Sequence, residues 1–155
     1  MSYLICSMAL IVLLLVLPSY FEIQRNSIAE AMTRRELTEI SDYTSNTLSN
    51  LIFLAESSKA SDLSLEISIT KELLYLPLMI GDSFYVLRID QDANSRAVKV
   101  IAYLKDQEWI SGESWITPGL LVSESSEINS NELDSKIAVA RCYGSNDLFV
   151  SLRCE

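Results

Sequence analysis

Residues 3–17 read YLICSMALIVLLLVL, and this apolar run decides the fold of the chain. The run contains no charged side chain, it ends at Pro18, and the first charged residue after it is Glu22. Up to Lys59 the chain has no glycine and only that one proline, so a nearly continuous helix is predicted for residues 3–60. Such a helix is roughly 85 Å long at about 1.5 Å per residue, more than twice the width of a compact domain of this size. Its first part must therefore project beyond the domain into other surroundings or pack against copies of itself.

The apolar run is consistent with three roles. No basic residue precedes it and no small-x-small cleavage site follows it, which argues against a cleavable secretory signal. Its 15 to 19 apolar residues lie at the lower limit for a bilayer span, so a single-pass anchor is one interpretation. The other is a filament-core helix, which lies in the membrane before assembly and among identical helices afterwards. Arg25, Arg34 and Arg35 follow the run, and this bias taken alone favours a cytoplasmic C-terminal side.

The chain from Tyr20 to about residue 60 is amphipathic. Apolar side chains recur every three to five residues, at Ala29, Met32, Leu37, Ile40, Tyr43, Leu48, Leu51 and Leu54. We expect the seam between the helix and the β domain to be formed by Ile40, Tyr43, Leu48, Leu51 and Leu54. Residues 41–50 (SDYTSNTLSN) are poor intrinsic helix formers, so packing must keep them helical. The alternative is a loop at residues 41–46 that separates two helices.

The pattern changes to an alternation of two after residue 62. Residues 63–70 alternate leucine or isoleucine with polar side chains, which predicts a strand with one buried face. Further strands are predicted at residues 83–89, 97–104, 120–122, 137–143 and 148–153, with a hairpin between the first two of these and an exposed loop at residues 123–136. The chain is therefore predicted to be α+β and lollipop-like. A long N-terminal α-helix over residues 1–60, apolar and then amphipathic, precedes a compact antiparallel β domain of about six or seven strands over residues 61–155.

The composition excludes several classes of function. The net charge is −9, and residues 61–155, with 8 basic and 15 acidic side chains, contribute −7 of it. Such a surface repels phosphate, so no nucleic-acid partner is expected. The chain has no histidine, which removes Ser-His and Cys-His nucleophiles, histidine-ligated metals and the usual proton shuttle. We therefore expect no enzyme activity, no catalytic residue, no metal ligand and no cofactor.

Few patterns point to a ligand. Residues 90–95 (DQDANS) begin like a calcium loop, but the glycine and the closing glutamate of such a loop are missing, so a hairpin turn is expected. Tyr103, Trp109 and Trp115 are interpreted as core aromatics, with a sugar-binding face as the alternative.

The three cysteines divide by position. Cys6 lies in the apolar run, where a thiol behaves as a small apolar side chain. Cys142 and Cys154 are a disulfide candidate that would contribute about 3 kcal/mol, and two separate buried thiols are the alternative. A tight hairpin at residues 144–147 would place Cys142 opposite about Phe149, so a bridge needs a wider loop or strands of different sheets.

The order of an uncharged apolar helix, an amphipathic continuation and a β domain resembles archaeal type IV pilin-like proteins, the superfamily that includes archaellins. Residues 76–86 (LPLMIGDSFYV) are similar to the leucine-proline, isoleucine-glycine-glycine, tyrosine stretch that opens a central strand in many of these proteins. The matching residues are Leu76, Pro77, Ile80, Gly81 and Tyr85. Asp82 departs from the pattern where the second glycine would stand, and no basic class III leader precedes Met1. The fifth residue is Ile5, where bacterial pilins commonly have glutamate, and this tilts the resemblance toward archaea.

The resemblance implies a structural subunit of an extracellular filament at the cell surface, inserted in the membrane before assembly. Its partners would be identical subunits in a helical homopolymer. Residues 1–20 would form the filament core, with a kink near Pro18, and the packing residues would be Leu4, Ile5, Met8, Ile11, Val12, Leu15 and Pro18. Two alternatives remain. One is a single-pass membrane-anchored protein with a β-sandwich ectodomain that binds a ligand or partner, and the other is a minor pilin or pseudopilin.

Overall fold

The computed structural model describes residues 2–59, 67–91, 97–116, 121–122, 127–132, 137–143 and 147–152. Within these residues one long helix is followed by eight strands. In chain order the elements are α1 (Ser2–Lys59), β1 (Ile67–Glu72), β2 (Tyr85–Gln91), β3 (Val98–Leu104), β4 (Gln107–Ile116), β5 (Leu121–Val122), β6 (Glu127–Asn129), β7 (Ile137–Tyr143) and β8 (Asp147–Ser151). The predicted α+β class, with a long N-terminal helix before a β domain, is confirmed.

The chain divides into two compact units, Met1–Thr33 and Arg34–Glu155. The first unit holds the N-terminal part of α1, and the second holds the remainder of α1 together with the strands. The sequence pattern marks the end of the helix near residue 60. The second unit begins earlier, inside the helix, close to Leu37, which is the first buried side chain along the described part of α1.

Strands β2, β3, β4 and β6 form an antiparallel sheet in the order β4-β3-β2-β6. β2 and β3 pair from Tyr85 opposite Leu104 to Gln91 opposite Val98, which confirms the predicted hairpin. β4 pairs with β3 along the other side, with a register shift between Tyr103 and Leu104. The β4 side is therefore one edge of this sheet, and the short strand β6 is the other.

The second sheet has the order β1-β7-β8-β5. β1, β7 and β8 pair antiparallel, whereas Leu121 and Val122 of β5 run parallel to Phe149 and Val150 of β8. The structure thus has eight described strands and one parallel pair, where the sequence pattern predicts six or seven antiparallel strands. β5 lies within the strand predicted at residues 120–122, whereas β4 and β6 are not among the predicted strands. β6 has three residues, too few for an alternating pattern to reveal.

One apolar core joins the second half of α1 to the sheets. Its buried members include Leu37, Leu48, Leu51, Ile52 and Ala55 of α1, Leu87 and Ile89 of β2, Val98, Val100, Ala102 and Leu104 of β3, and Val150 of β8. Alternate residues of β2 and β3 contribute, as expected for strands with one buried face. Full burial of each large aliphatic side chain stabilises the fold by about 1.5–3 kcal/mol.

The second half of α1 lies against the edge strand β4. Side chains of α1 donate hydrogen bonds to β4 carbonyl oxygens from Arg34 to Trp109 (3.0 Å), from Ser41 to Gly112 (3.0 Å) and from Ser45 to Trp115 (2.8 Å). The donors are spaced by seven and four residues, which places them on one side of the helix. The helix thereby covers backbone groups that an uncovered sheet edge presents to other chains.

These contacts explain why residues 41–50 are helical. Ser41, Thr44, Ser45 and Thr47 are buried polar residues, and the Thr44 hydroxyl donates to the Ile40 carbonyl oxygen at 2.9 Å. Small hydroxyl side chains allow close approach to β4 and supply the donors. The alternative of a loop at residues 41–46 is excluded, since α1 continues through them.

Two sequence-based interpretations are wrong. The side chains of Trp109 and Trp115 are 66% and 60% exposed, so they are not core aromatics. The described part of the predicted exposed loop at residues 123–136 contains β6, with Ile128 buried against the core. The short strand is fixed by Ser130, whose backbone N–H donates to the Tyr85 carbonyl oxygen at 2.9 Å and whose hydroxyl accepts from the Tyr85 N–H at 3.0 Å. An isolated apolar residue in a polar segment carries too little signal to reveal this pairing.

Candidate functional site: the apolar surface of the helix

The N-terminal part of α1 exposes apolar side chains on all sides. Every residue from Cys6 to Ala29 is exposed, and the large apolar side chains between Met8 and Leu17 have exposed fractions of 41–68%. Four residues of such a run already point in directions about 100° apart, so no face of this segment is polar. A helix that is apolar all round is stable only when a membrane or other protein covers it.

The length of this surface fits a bilayer. The uncharged residues from Ser2 to Phe21 are all helical and span about 30 Å, the thickness of a hydrocarbon core. Within the described residues, α1 is the one helix that is long and apolar enough to cross a membrane. An N-terminal helix of this kind suggests membrane insertion or a signal sequence.

Aromatic side chains mark the end of the apolar surface. The rings of Tyr20 and Phe21 meet edge to face with 6.2 Å between their centroids, and the Gln24 amide donates to the Tyr20 hydroxyl at 3.3 Å. Glu22 and Arg25 follow at once. Tyrosine rings with one apolar and one polar side are common where a hydrocarbon layer meets water.

The residues predicted to pack in a filament core are exposed wherever their side chains are described. Met8, Ile11, Val12 and Leu15 are exposed, and the side chains of Leu4 and Ile5 lie outside the described ones. A shallow groove of about 570 Å³ runs along one side of the helix and is lined by Met8, Ala9, Val12, Leu13, Val16 and Leu17. The small Ala9 side chain leaves room in this groove for a side chain of an approaching helix.

Pro18 lies inside α1, which continues on both sides of it. Proline lacks the N–H that would bond to the Leu14 carbonyl oxygen. The Ser19 hydroxyl does not take the place of this donor, because it donates to the Leu15 carbonyl oxygen at 3.3 Å, one residue beyond the group that Pro18 leaves without its helical donor.

The predicted seam residues lie in the second unit. Ile40, Leu48 and Leu51 are buried, and Tyr43 is partly buried against the core. Leu54 is 50% exposed and is therefore outside the seam. The buried side of the helix continues with Ile52 and Ala55, which follow Leu48 and Leu51 by four residues. Leu54 follows Leu51 by three residues and is turned away from the core.

The five motif residues of the segment 76–86 are brought together around one turn. The Tyr85 hydroxyl donates to the Pro77 carbonyl oxygen at 2.7 Å. Ile80 is buried, and its backbone exchanges two hydrogen bonds with Ser83 across Gly81, whose φ of +58° favours glycine. Leu76 packs partly buried against the core. Burial raises the pKa of the Tyr85 phenol above its ordinary value.

The predicted disulfide lies outside the described residues, because Cys154 and the Cys142 side chain are not among them. The backbone of Cys142 belongs to β7, where it pairs with Leu148 of β8 and with Ile67 of β1. The partner across the hairpin is thus one residue earlier than the expected Phe149. Cys6 of the helix is an exposed free thiol.

The outward face of the β4-β3-β2-β6 sheet is polar. A groove of about 350 Å³ there is lined by Arg88, Asp90, Lys99, Ile101, Tyr103, Glu108, Ser111 and Glu113. The Lys99 ammonium pairs with Glu113 at 3.2 Å and lies 5.9 Å from the centre of the Trp115 ring. Burial, followed by the charge of Glu127, raises the pKa of Tyr103.

No metal-binding cluster of three or more His, Cys, Asp or Glu side chains occurs among the described residues. Of the calcium-like residues 90–95, Asp92 and Asn94 lie outside the described part of the chain. Comparison of the chain with family models, curated proteins and solved structures found no match.

Proposed function

We propose that the protein is a structural subunit of an extracellular type IV pilus-like filament of archaeal kind and has no catalytic role. The observation that carries the proposal is the first unit, in which 16 consecutive helical residues from Cys6 to Phe21 are exposed and uncharged. The second unit has a core of its own, so the apolar helix is not needed to complete that core.

A helical polymer accounts for both environments of such a helix. In the membrane, lipid covers the apolar surface, and after assembly neighbouring helices cover it at similar cost, since lipid tails are as apolar as leucine. A contact between two different surfaces of identical subunits does not close on itself and produces an open fibre. The groove lined by Met8, Val12 and Val16 offers a place for such helix packing.

The resemblance in residues 76–86 supports the same proposal. Pro77, Gly81 and Tyr85 each have a defined structural role there, as hydrogen-bond acceptor, left-handed turn residue and donor. In this proposal the chain is held in the membrane before assembly and is part of a cell-surface filament afterwards. A minor pilin, built into a filament of another subunit, is a variant of this function.

The proposal is tested by placing a charge in the apolar surface. Leu13→Asp should abolish assembly of the full chain into sedimenting fibres after detergent removal, because a carboxylate at the centre of such a segment costs about 3 kcal/mol in an apolar environment. Asn26→Asp adds the same charge to an exposed position outside the apolar run and is the matched control. Fibres of normal yield from Leu13→Asp would overturn the proposal.

A second candidate function is a membrane-anchored binding module. The exposed Trp109 and Trp115 favour it, together with the polar groove that Lys99 and Glu113 line. In this case the chain would remain monodisperse in detergent and in liposomes, and would bind a specific ligand without polymerising. Sedimentation analysis of the wild-type chain separates the two functions.

A further inference from the structure

A second exposed stripe lies on α1 beyond the apolar run. Phe21, Ile28 and Met32 have exposed fractions of 58–65%, and Arg25 is also exposed. Their spacing of four, three and four residues places all four on one face of the helix, which we call the Arg25 stripe. Residues 22–33 also include Glu22 and Glu30, so this part is too charged for a lipid interior.

The second unit contains a groove with matching chemistry. It has a volume of about 420 Å³ between α1 and the segment that precedes β2. Glu36, Glu39 and Tyr43 line the helix side, and Tyr75, Pro77 and Met79 line the other side. We call it the Tyr75 groove. Its apolar wall is open to solvent, with Tyr75 82% exposed and Met79 also exposed.

The Tyr75 groove is held in shape before any partner arrives. The Tyr75 ring meets the Tyr43 ring edge to face at 6.1 Å, and Tyr85 holds Pro77 through its 2.7 Å hydrogen bond. The turn from Ile80 to Ser83 closes the same segment. A preformed apolar wall loses little conformational entropy on binding, which favours association.

The charges of the two surfaces are complementary. Arg25 is the only Lys or Arg in residues 1–33, and it forms no ion pair among the described residues. Glu36 likewise has no ion pair there, and Glu39 is bound by Arg35 at 3.1 Å. Each surface therefore combines apolar side chains with a charge that lacks a full partner, positive on the stripe and negative on the groove.

We propose that the Arg25 stripe of one copy lies in the Tyr75 groove of a second copy, with the Arg25 guanidinium against Glu36 and Glu39. This inference rests on the proposed filament function and identifies one contact between subunits. The occupant is a second copy because the stripe and the groove of this chain carry complementary charges beside exposed apolar side chains. The acidic wall of the groove repels anionic lipid headgroups, which argues against a membrane as the occupant.

Charge reversal tests the contact in the full chain. Glu36→Arg and Arg25→Glu should each reduce the sedimenting fibre fraction by at least about tenfold, because each places like charges opposite each other. The double variant restores opposite charges and should recover most of the fibre yield. Asp106→Arg, an exposed reversal in the turn between β3 and β4, is the matched control and should assemble normally. Normal fibres from both single variants, or no recovery in the double variant, would overturn the inference.

Crosslinking separates this inference from the proposed function. Ile28→Cys and Met79→Cys chains are assembled together and oxidised, with wild-type fibres showing the background from the native cysteines. Dimers above background should form only in the mixture. Fibres without this crosslink would overturn the groove contact and leave the filament function standing. Failure of the wild-type chain to form fibres would overturn both.

Discussion

Gly112 sets the distance between α1 and β4. A Cβ atom on this residue would lie 2.6 Å from the Thr38 Cα and would overlap the backbone of Leu37 and Thr38 still more closely. The atoms it meets are helix backbone, which cannot move aside without shifting α1 from the sheet. Glycine is required here for space, and the position carries no positive φ.

Replacing Gly112 by alanine should therefore destabilise the fold. We expect a loss of about 3 kcal/mol or more in the free energy of unfolding, at the upper end of the cost of an overpacked core. Chemical denaturation followed by circular dichroism measures it. Gly81→Ala is the matched control, since space is open there and only the left-handed backbone costs about 1–2 kcal/mol. Equal losses for the two variants would contradict the steric account.

The phenol of Tyr85 should make stability depend on pH in the alkaline range. Its pKa is raised in the folded protein by burial, and its hydroxyl donates a hydrogen bond to the Pro77 carbonyl oxygen. The unfolded chain releases that proton near pH 10 while the folded chain retains it. The contribution of this phenol to the free energy of unfolding is therefore fully present below about pH 10. Above that pH it decreases by about 1.4 kcal/mol per pH unit.

Tyr85→Phe tests this assignment. The variant should lose about 1 kcal/mol at pH 8, where the hydrogen bond to Pro77 is removed. Between pH 10 and pH 11 its stability should fall less steeply than that of the wild type, because one titrating group is missing. Parallel denaturation curves at the two pH values measure the difference. The same slope in both proteins would show that Tyr85 does not cause the dependence.

The second half of α1 shows how an element can form against its intrinsic preference. Residues 41–50 contain serine, threonine and asparagine at seven of ten positions, which disfavours an isolated helix. Burial of Leu48 and the hydrogen bonds of Ser41 and Ser45 to β4 compensate. The helix here depends on the sheet, and the sheet edge depends on the helix.

Ser45→Ala and Asn46→Ala should change stability in opposite directions. The first removes the donor to the Trp115 carbonyl oxygen, and we expect a loss of about 1 kcal/mol after a small gain in helix propensity. The second replaces an exposed residue by a better helix former and should add about 0.5 kcal/mol. Thermal unfolding of the two variants beside the wild type measures the sign. Stabilisation by both changes would mean that the β4 bond contributes nothing.

The parts of the fold with a strong local pattern could be predicted from the sequence. The helix and the β2–β3 hairpin follow from apolar periodicity. The exposure of Trp109 and Trp115 could not be predicted, because aromatic side chains are usually buried. Only the structure of β4 shows that these two are exposed. The predicted seam includes Leu54 because spacings of three and four look alike in sequence, and only the structure shows that Ile52 and Ala55 are the buried residues. The Arg25 stripe and Tyr75 groove needed the structure, since residues 36 and 79 are joined by no local pattern.

At the scale of the whole molecule, α1 serves two purposes along one continuous helix. Residues 6–21 present an uncharged apolar surface that lipid or protein must cover. From Arg34 onward the helix belongs to a folded unit with its own core. In the proposed filament, the apolar parts of identical helices pack against each other, and lipid covers them only before assembly.

Electron microscopy of negatively stained cell-surface material tests this central proposal most directly. We expect helical fibres that contain this chain, and we expect their loss from cells that carry Leu13→Asp but not from cells that carry Asn26→Asp. Finding the chain only as a monodisperse membrane-bound monomer, with no fibres on cells or in purified fractions, would contradict it.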